Sequence, residues 1–139
     1  VAFQTSRGQA IIIAKEILRS AAGLDDIKSM VLDSTFVLEN PSTTGRYLLE
    51  AGTILSTNGP TAGRVKPVYE NENVDQADVA GVLGHTVEFW LGPGITADDN
   101  TDKPIPVLHH GCDFDVSKLV GYVGNEAAVK AALPTCIFR

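Results

Sequence analysis

The sequence predicts an α+β, β-rich fold: a compact small β-domain preceded by a short N-terminal helix and an N-terminal arm. Three observations predict it. Runs rich in β-branched and aromatic residues, at 53–55, 65–69 and 79–90, alternate with turn-rich sequence. Only residues 9–22 show a convincing helical period. Glycines supply the punctuation: Gly52, Gly59 before Pro60, Gly81 and Gly84 stand where a backbone must bend or approach a neighbour closely.

A chain of 139 residues can bury one sizeable core and is too short for two ordinary domains. Residues 1–46 therefore read as the N-terminal arm and helical extension, and 47–139 as the β-rich domain. With 44% hydrophobic and 20% charged residues, the composition is globular. The longest apolar run, residues 10–14, falls far short of the ~20 residues of a membrane-spanning helix. No membrane partner is expected, and the opening residues, soon interrupted by Arg7 and Gly8, do not make a secretory signal.

Residues 1–8 are polar around the lone Phe3 and read as the arm. In 9–22, Ala10, Ile11, Ile13, Ala14, Ile17, Leu18 and Ala21 fall on one helical face, and Lys15, Glu16, Arg19 and Ser20 on the other. Gly23 suits the position past the helix end. Residues 24–34 are ambiguous: Asp25 and Asp26 favour a short helix carrying Ile27, Met30 and Val31, while residues 30–32 equally suit the start of a strand. Residues 35–38 are β-like and stop at Asn40-Pro41, and 42–45 read as an exposed connection.

Beyond Trp90, residues 91–106 read as a long irregular passage. Pro93, Pro104 and Pro106 within it disfavour a central strand and suggest a loop or sheet edge. Strands are expected at 107–109, 112–116 and 135–138. Asn125 is placed to cap a short helix, residues 126–133, which Pro134 ends.

The formal net charge of −6 argues against a surface that tracks a phosphate backbone, so no nucleic-acid partner is expected. Acidic residues cluster at 70–78 and 98–102, and both clusters read as solvated faces. The second lacks the glycine turn and distal glutamate of a calcium loop. His109, His110, Cys112, Asp113 and Asp115 bring ligand types together. Adjacent residues of a strand point to opposite faces, however, and no second ligand pair stands at zinc-like spacing, even with His85 converging from another strand. No metal and no cofactor are therefore assigned. A Cys112 nucleophile paired with His109 or His110 lacks any supporting motif, so no catalytic residue is assigned and the chain does not read as an enzyme. Cys112 and Cys136 do not make a disulfide framework and are expected as thiols. Of Phe89 and Trp90, a strand turns one to the core and one outward. With Leu91 they are candidates for an oligomer interface, against plain core packing.

A family resemblance runs through residues 47–139. Gly52-Thr53-Ile54-Leu55, a turn, Val68-Tyr69, an acidic connection ending in Ala77-Asp78-Val79-Ala80-Gly81-Val82-Leu83, and later Pro106-Val107-Leu108-His109-His110-Gly111 together resemble the head-decoration (cement) proteins of lambda-like tailed bacteriophages. The resemblance implies a small β-rich domain that binds the outside of the mature capsid as a homotrimer. Its partner would be the major capsid protein, and its place the outer surface of the virion after synthesis in the host cytoplasm. The resemblance does not extend to residues 1–46; it is the composition of the arm, polar around Phe3, that makes Val1, Ala2, Phe3, Gln4 and Thr5 the candidates for contact with the capsid. A non-viral oligomeric binding module, or a His/Cys-based enzyme, is the alternative.

Overall fold

The computed structural model describes residues 17–19, 27–33, 45–59, 61–91 and 103–139, with backbone alone at 45–48, 88–91 and 103. In chain order the strands are β1 (Ile27–Leu32), β2 (Gly45–Leu49), β3 (Ile54–Ser56), β4 (Lys66–Pro67), β5 (Val79–Leu83), β6 (Val87–Leu91), β7 (Lys103–Leu108), β8 (Asp113–Phe114) and β9 (Ile137–Phe138). One α-helix, α1 (Glu126–Ala132), and two 3₁₀ turns, Gln76–Asp78 and Val116–Lys118, complete the described elements. The domain is β-rich and built on an antiparallel five-stranded sheet of order β1-β7-β5-β3-β4, as the strand-forming composition led one to expect.

Period-two alternation gives this sheet two buried faces. Ile54 pairs with Val82 and Val82 with Leu108, so one row of side chains crosses three strands. That row packs with Phe114, Tyr122, Val129 and Leu133 in the core under α1. Their immediate neighbours Leu55, Leu83 and Val107 point the other way and meet Leu32, Leu49, Val65, Val87 and Ile105 in a second core. Each side chain so buried stabilises the fold by about 1.5–3 kcal/mol.

The second core is enclosed because the sheet curls until its edges meet. Val65, just before β4, forms a parallel bridge with Leu32 at the end of β1. Val65 N–H donates to Val31 C=O and Asp33 N–H to Val65 C=O, both at 3.0 Å. This seam closes a small barrel and removes part of both edges. The buried Asp33 carboxylate then accepts from Thr61 N–H at 3.1 Å, holding the β3–β4 connection over the seam.

Gly81 lies at the barrel's tightest point. The register slips so that Leu55 faces Gly81 while Ser56 faces Val79, and Ala80 bulges out of the ladder. At φ 153°, a Cβ on Gly81 would come 2.5 Å from Val107 Cγ1 and 2.7 Å from Leu108 O.

Two readings of the sequence are revised and two are made definite. The helix expected over 9–22 does not run through residues 17–19. Leu18 bridges Phe114 antiparallel, Arg19 N–H donates to Asp113 C=O at 2.8 Å, and Asp115 N–H donates to Ile17 C=O at 2.9 Å. Ile17 thus reaches the core from extended backbone alongside β8; the other positions of that helix, and arm residues 1–8, lie outside the described residues. The ambiguous stretch 24–34 contributes a strand, β1, paired along its whole length with β7. The sheet therefore draws on residues from both sides of position 46.

The prolines are the second revision, since Pro104 and Pro106 lie in β7, between β1 and β5. Pro106 C=O accepts from Gly84 N–H at 2.9 Å, so the edge bearing its nitrogen faces β5, beyond the last β5–β7 rung at Leu83 and Val107. Both prolines thus lie outside the paired length of β5 and β7, where a missing N–H breaks no rung of the ladder. Pro104, two residues earlier, presents the same edge. The run 79–90 supplies two strands: it breaks at residues 84–86, beginning at Gly84, and β6 leaves the sheet to pair with β2 in a separate two-stranded ribbon.

Candidate interaction surface

Two loops meet at one end of the domain, residues 69–74 after β4 and 119–125 before α1. Asn125, at 3% exposure, joins them. Its Oδ1 accepts from Val74 N–H at 2.9 Å, and its Nδ2 donates to Tyr69 C=O at 3.0 Å and Gly121 C=O at 2.9 Å. Asn71 N–H adds a bond to Val123 C=O at 2.8 Å. The fit is close enough that a Cβ on Gly121, at φ 85°, would strike Val68 C=O. Asn71 and Asn73 take up φ 59° and 58°, a region asparagine tolerates better than most residues.

The expected helix cap is thus a correction of role. Asn125 stands at the N-cap of α1 but its side chain makes no capping bond, because its donors and acceptor are committed to the neighbouring loops. The helix itself matches expectation, and Pro134 lies two residues past its end.

These loops carry apolar side chains to the surface: Val123 is 53% exposed, and Tyr69 and Val120 38% each. Lys66 extends over the Tyr69 ring, 5.8 Å from its centroid, and lies 3.6 Å from Glu72 Oε1. Glu72 Oε1 also accepts from Tyr69 N–H at 3.2 Å. Part of the acidic cluster 70–78 therefore shapes the loop, and Asp75 caps the first 3₁₀ turn through Ala77 N–H. Tyr69, Val120 and Val123 were not singled out from the sequence. The signal that points to them is the pair of glycines, 121 and 124, bracketing Tyr122 and Val123, facing the Asn-rich run 71–73.

Arg139 and Asp113 form a second polar centre beside the core under α1. The guanidinium grips the carboxylate with both oxygens engaged, Nη2 to Oδ2 at 2.6 Å and Nε to Oδ1 at 3.1 Å. Arg139 N–H donates to Phe114 C=O, and Arg139 C=O accepts from Val116 N–H and from Arg19 Nε. The Arg139 hydrogen bond holds the Asp113 carboxyl below its ordinary pKa of 3.8. Asp115 is lowered too, chiefly by the Ser117 hydroxyl that donates to it at 2.7 Å.

A depressed folded-state pKa stabilises the fold above the unfolded value and loses that contribution as pH falls through the folded one. Arg139→Gln is therefore expected to melt below the parent at pH 7, with the gap closing below about pH 4. Thermal melts of both proteins from pH 7 to pH 2.5 check this. A gap independent of pH would assign the loss to packing.

The His and Cys group does not converge on one point. Cys112 is fully buried in the core under α1, and its thiol donates to His110 C=O at 3.6 Å. His109 is half-buried and His110 exposed, their ring centroids 6.4 Å apart and tilted by 53°. His85 Nδ1 lies 3.1 Å from Thr86 C=O at the corner between β5 and β6. Among the described residues no three His, Cys, Asp or Glu side chains gather as metal ligands. Phe89, Trp90 and Leu91 lie on β6, their backbones paired with Tyr47, Arg46 and Gly45. The interface role assigned to them concerns side chains outside the described ones, as do the arm positions Val1, Ala2, Phe3, Gln4 and Thr5 and the acidic run 98–102. No described helix is long and apolar enough to cross a membrane.

Fold and surface together define a small β-rich domain in which Asn125 joins two loops that expose Tyr69, Val120 and Val123. Comparison with protein-family models, with curated proteins and with solved structures gives no match for this chain.

Proposed function

We propose that this chain is a bacteriophage head-decoration protein, which binds the outside of the mature head as a homotrimer and stabilises it against internal DNA pressure. The observation that carries the reading is where the resembling segments fall. The runs 52–55, 77–83 and 106–111 supply β3, β5 and most of the paired end of β7, three adjacent strands of one sheet. A likeness scattered over unrelated parts of a fold would carry little weight; this one follows a single packed unit, glycine contacts included.

The function is binding without chemistry. Tyr69, Val120 and Val123 offer apolar surface to a capsid subunit or a neighbouring copy. Three copies held together multiply a modest affinity per contact. Because the trimer binds the intact shell, rupture must also detach it, and the shell is stabilised by mass action. Synthesis in the host cytoplasm and residence on the virion exterior follow from this role.

Sedimentation with purified heads tests the proposal. The protein is expected to pellet with expanded heads and to remain in the supernatant with unexpanded ones, and light scattering or imaging of bound density should give trimers. An oligomer that ignores both kinds of head would favour a non-viral binding module. A monomer both free and bound would overturn the trimer.

A further inference from the structure

We infer that Cys112 and Cys136 are a thiol pair poised to close into an intramolecular disulfide, which would clamp β9 and α1 to β8. The two residues are distant in sequence and are brought level by the parallel β8–β9 ladder. Asp113 pairs with Ile137 and Phe114 with Phe138. The first rung of that ladder includes the bond from Ile137 N–H to Cys112 C=O at 2.8 Å. Just before it, Gly111 N–H donates to Thr135 Oγ1 at 3.1 Å. Positions 112 and 136 thus lie between the first rung of the ladder and a backbone to side-chain bond.

Paired residues of parallel strands project to the same face, and Phe114 and Phe138 show which face this is. Their rings stack at 5.3 Å, and Tyr122 stacks on Phe138 at 5.5 Å. Two residues before each phenylalanine, Cys112 and Cys136 belong to the same core. Adjacent strands lie about 4.8 Å apart, which falls within the roughly 4.4–6.8 Å between Cα atoms that a disulfide spans. Both cysteines are thiols in the structure.

Access orders the chemistry. Cys112 is fully buried while Cys136 is half-buried, so an external oxidant meets Cys136 first. With a low-molecular-weight disulfide RSSR as oxidant, the Cys136 thiolate attacks one sulfur, releases RSH and leaves a mixed disulfide on Cys136. The Cys112 thiolate then attacks the Cys136 sulfur and displaces the second RSH. Two protein thiols are oxidised, one RSSR is reduced to two RSH, and both protons leave with them. The closed loop contains the second 3₁₀ turn, Gly121, Asn125 and α1, so the bond limits the freedom of the unfolded chain in that whole region. The inference does not depend on capsid attachment, and its test involves no capsid.

The experiment incubates the purified full chain with glutathione disulfide and follows mass, thiol content and melting temperature. The expected product is a chain lighter by two hydrogens and not cross-linked to another, with no titratable thiol, melting about 10 °C higher than the reduced protein. The Cys136→Ser variant should stay folded, since this side chain is not fully buried, and should show neither change. A persistent glutathione adduct on Cys136, a disulfide between two chains, or thiols that survive oxidation would overturn the inference. So would an intramolecular disulfide that lowers the melting temperature, because the pairing would then be strained.

Discussion

Asn125→Ala is expected to destabilise the domain by about 4 kcal/mol, a fall of roughly 15 °C in melting temperature. The loss follows from what the side chain holds. Val74 N–H, Tyr69 C=O and Gly121 C=O each bond to the Asn125 amide, at 2.9, 3.0 and 2.9 Å. Removing a partner from a buried backbone group costs about 1–3 kcal/mol, and water reaches the edge of this site, so the sum falls below the highest values. Asn125→Asp keeps an acceptor for Val74 but turns an anionic oxygen toward two carbonyls, and should be at least as damaging near neutral pH. Urea denaturation checks both. A cost under 1 kcal/mol for the alanine variant would show that the two loops hold together without the amide. Because Tyr69, Val120 and Val123 ride on these loops, the proposed function adds a second readout, loss of head binding at temperatures where the variant stays folded.

The second large effect is expected at Gly81→Ala, also about 4 kcal/mol. Two costs add. The added methyl would meet Val107 Cγ1 at 2.5 Å and Leu108 O at 2.7 Å, and neither can retreat easily, since Val107 is fully buried and Leu108 belongs to the ladder. Overpacking of this kind costs roughly 1–3 kcal/mol. A positive φ adds about 1–2 kcal/mol for a residue with a Cβ. Combining Gly81→Ala with Val107→Ala should recover part of the loss, a coupling visible in a double-mutant cycle. Strict additivity of the two changes would mean that the methyl does not meet Val107.

How much of this was legible in the sequence depends on whether local or distant groups decide each element. The strands β3 and β5 and the helix α1 were legible because their cues are local: β-branched runs bounded by glycine, and alanines ended by Pro134. Gly81 was legible as a point of close approach, though not what approached it. The helix over 9–22 failed at residues 17–19 because period and composition measure only a preference, and the open edge of β8 offers Ile17 and Arg19 backbone partners that a local pattern cannot show. Pro104 and Pro106 were misjudged for a similar reason. Whether a missing N–H matters depends on which neighbour stands opposite, and the paired length of β5 with β7 stops at Leu83 and Val107, short of both prolines.

For the interaction surface the division is sharper. Composition alone established a globular chain of net acidic charge, because these properties belong to the residue list and not to its arrangement. Tertiary structure decided that Asn125 staples loops instead of capping a helix, that Cys112 and Cys136 immediately precede two paired strands, and that Leu32 and Val65 close the barrel. Each of these joins residues far apart in sequence, and such pairings arise only when burial of two apolar faces forces distant strands into one register.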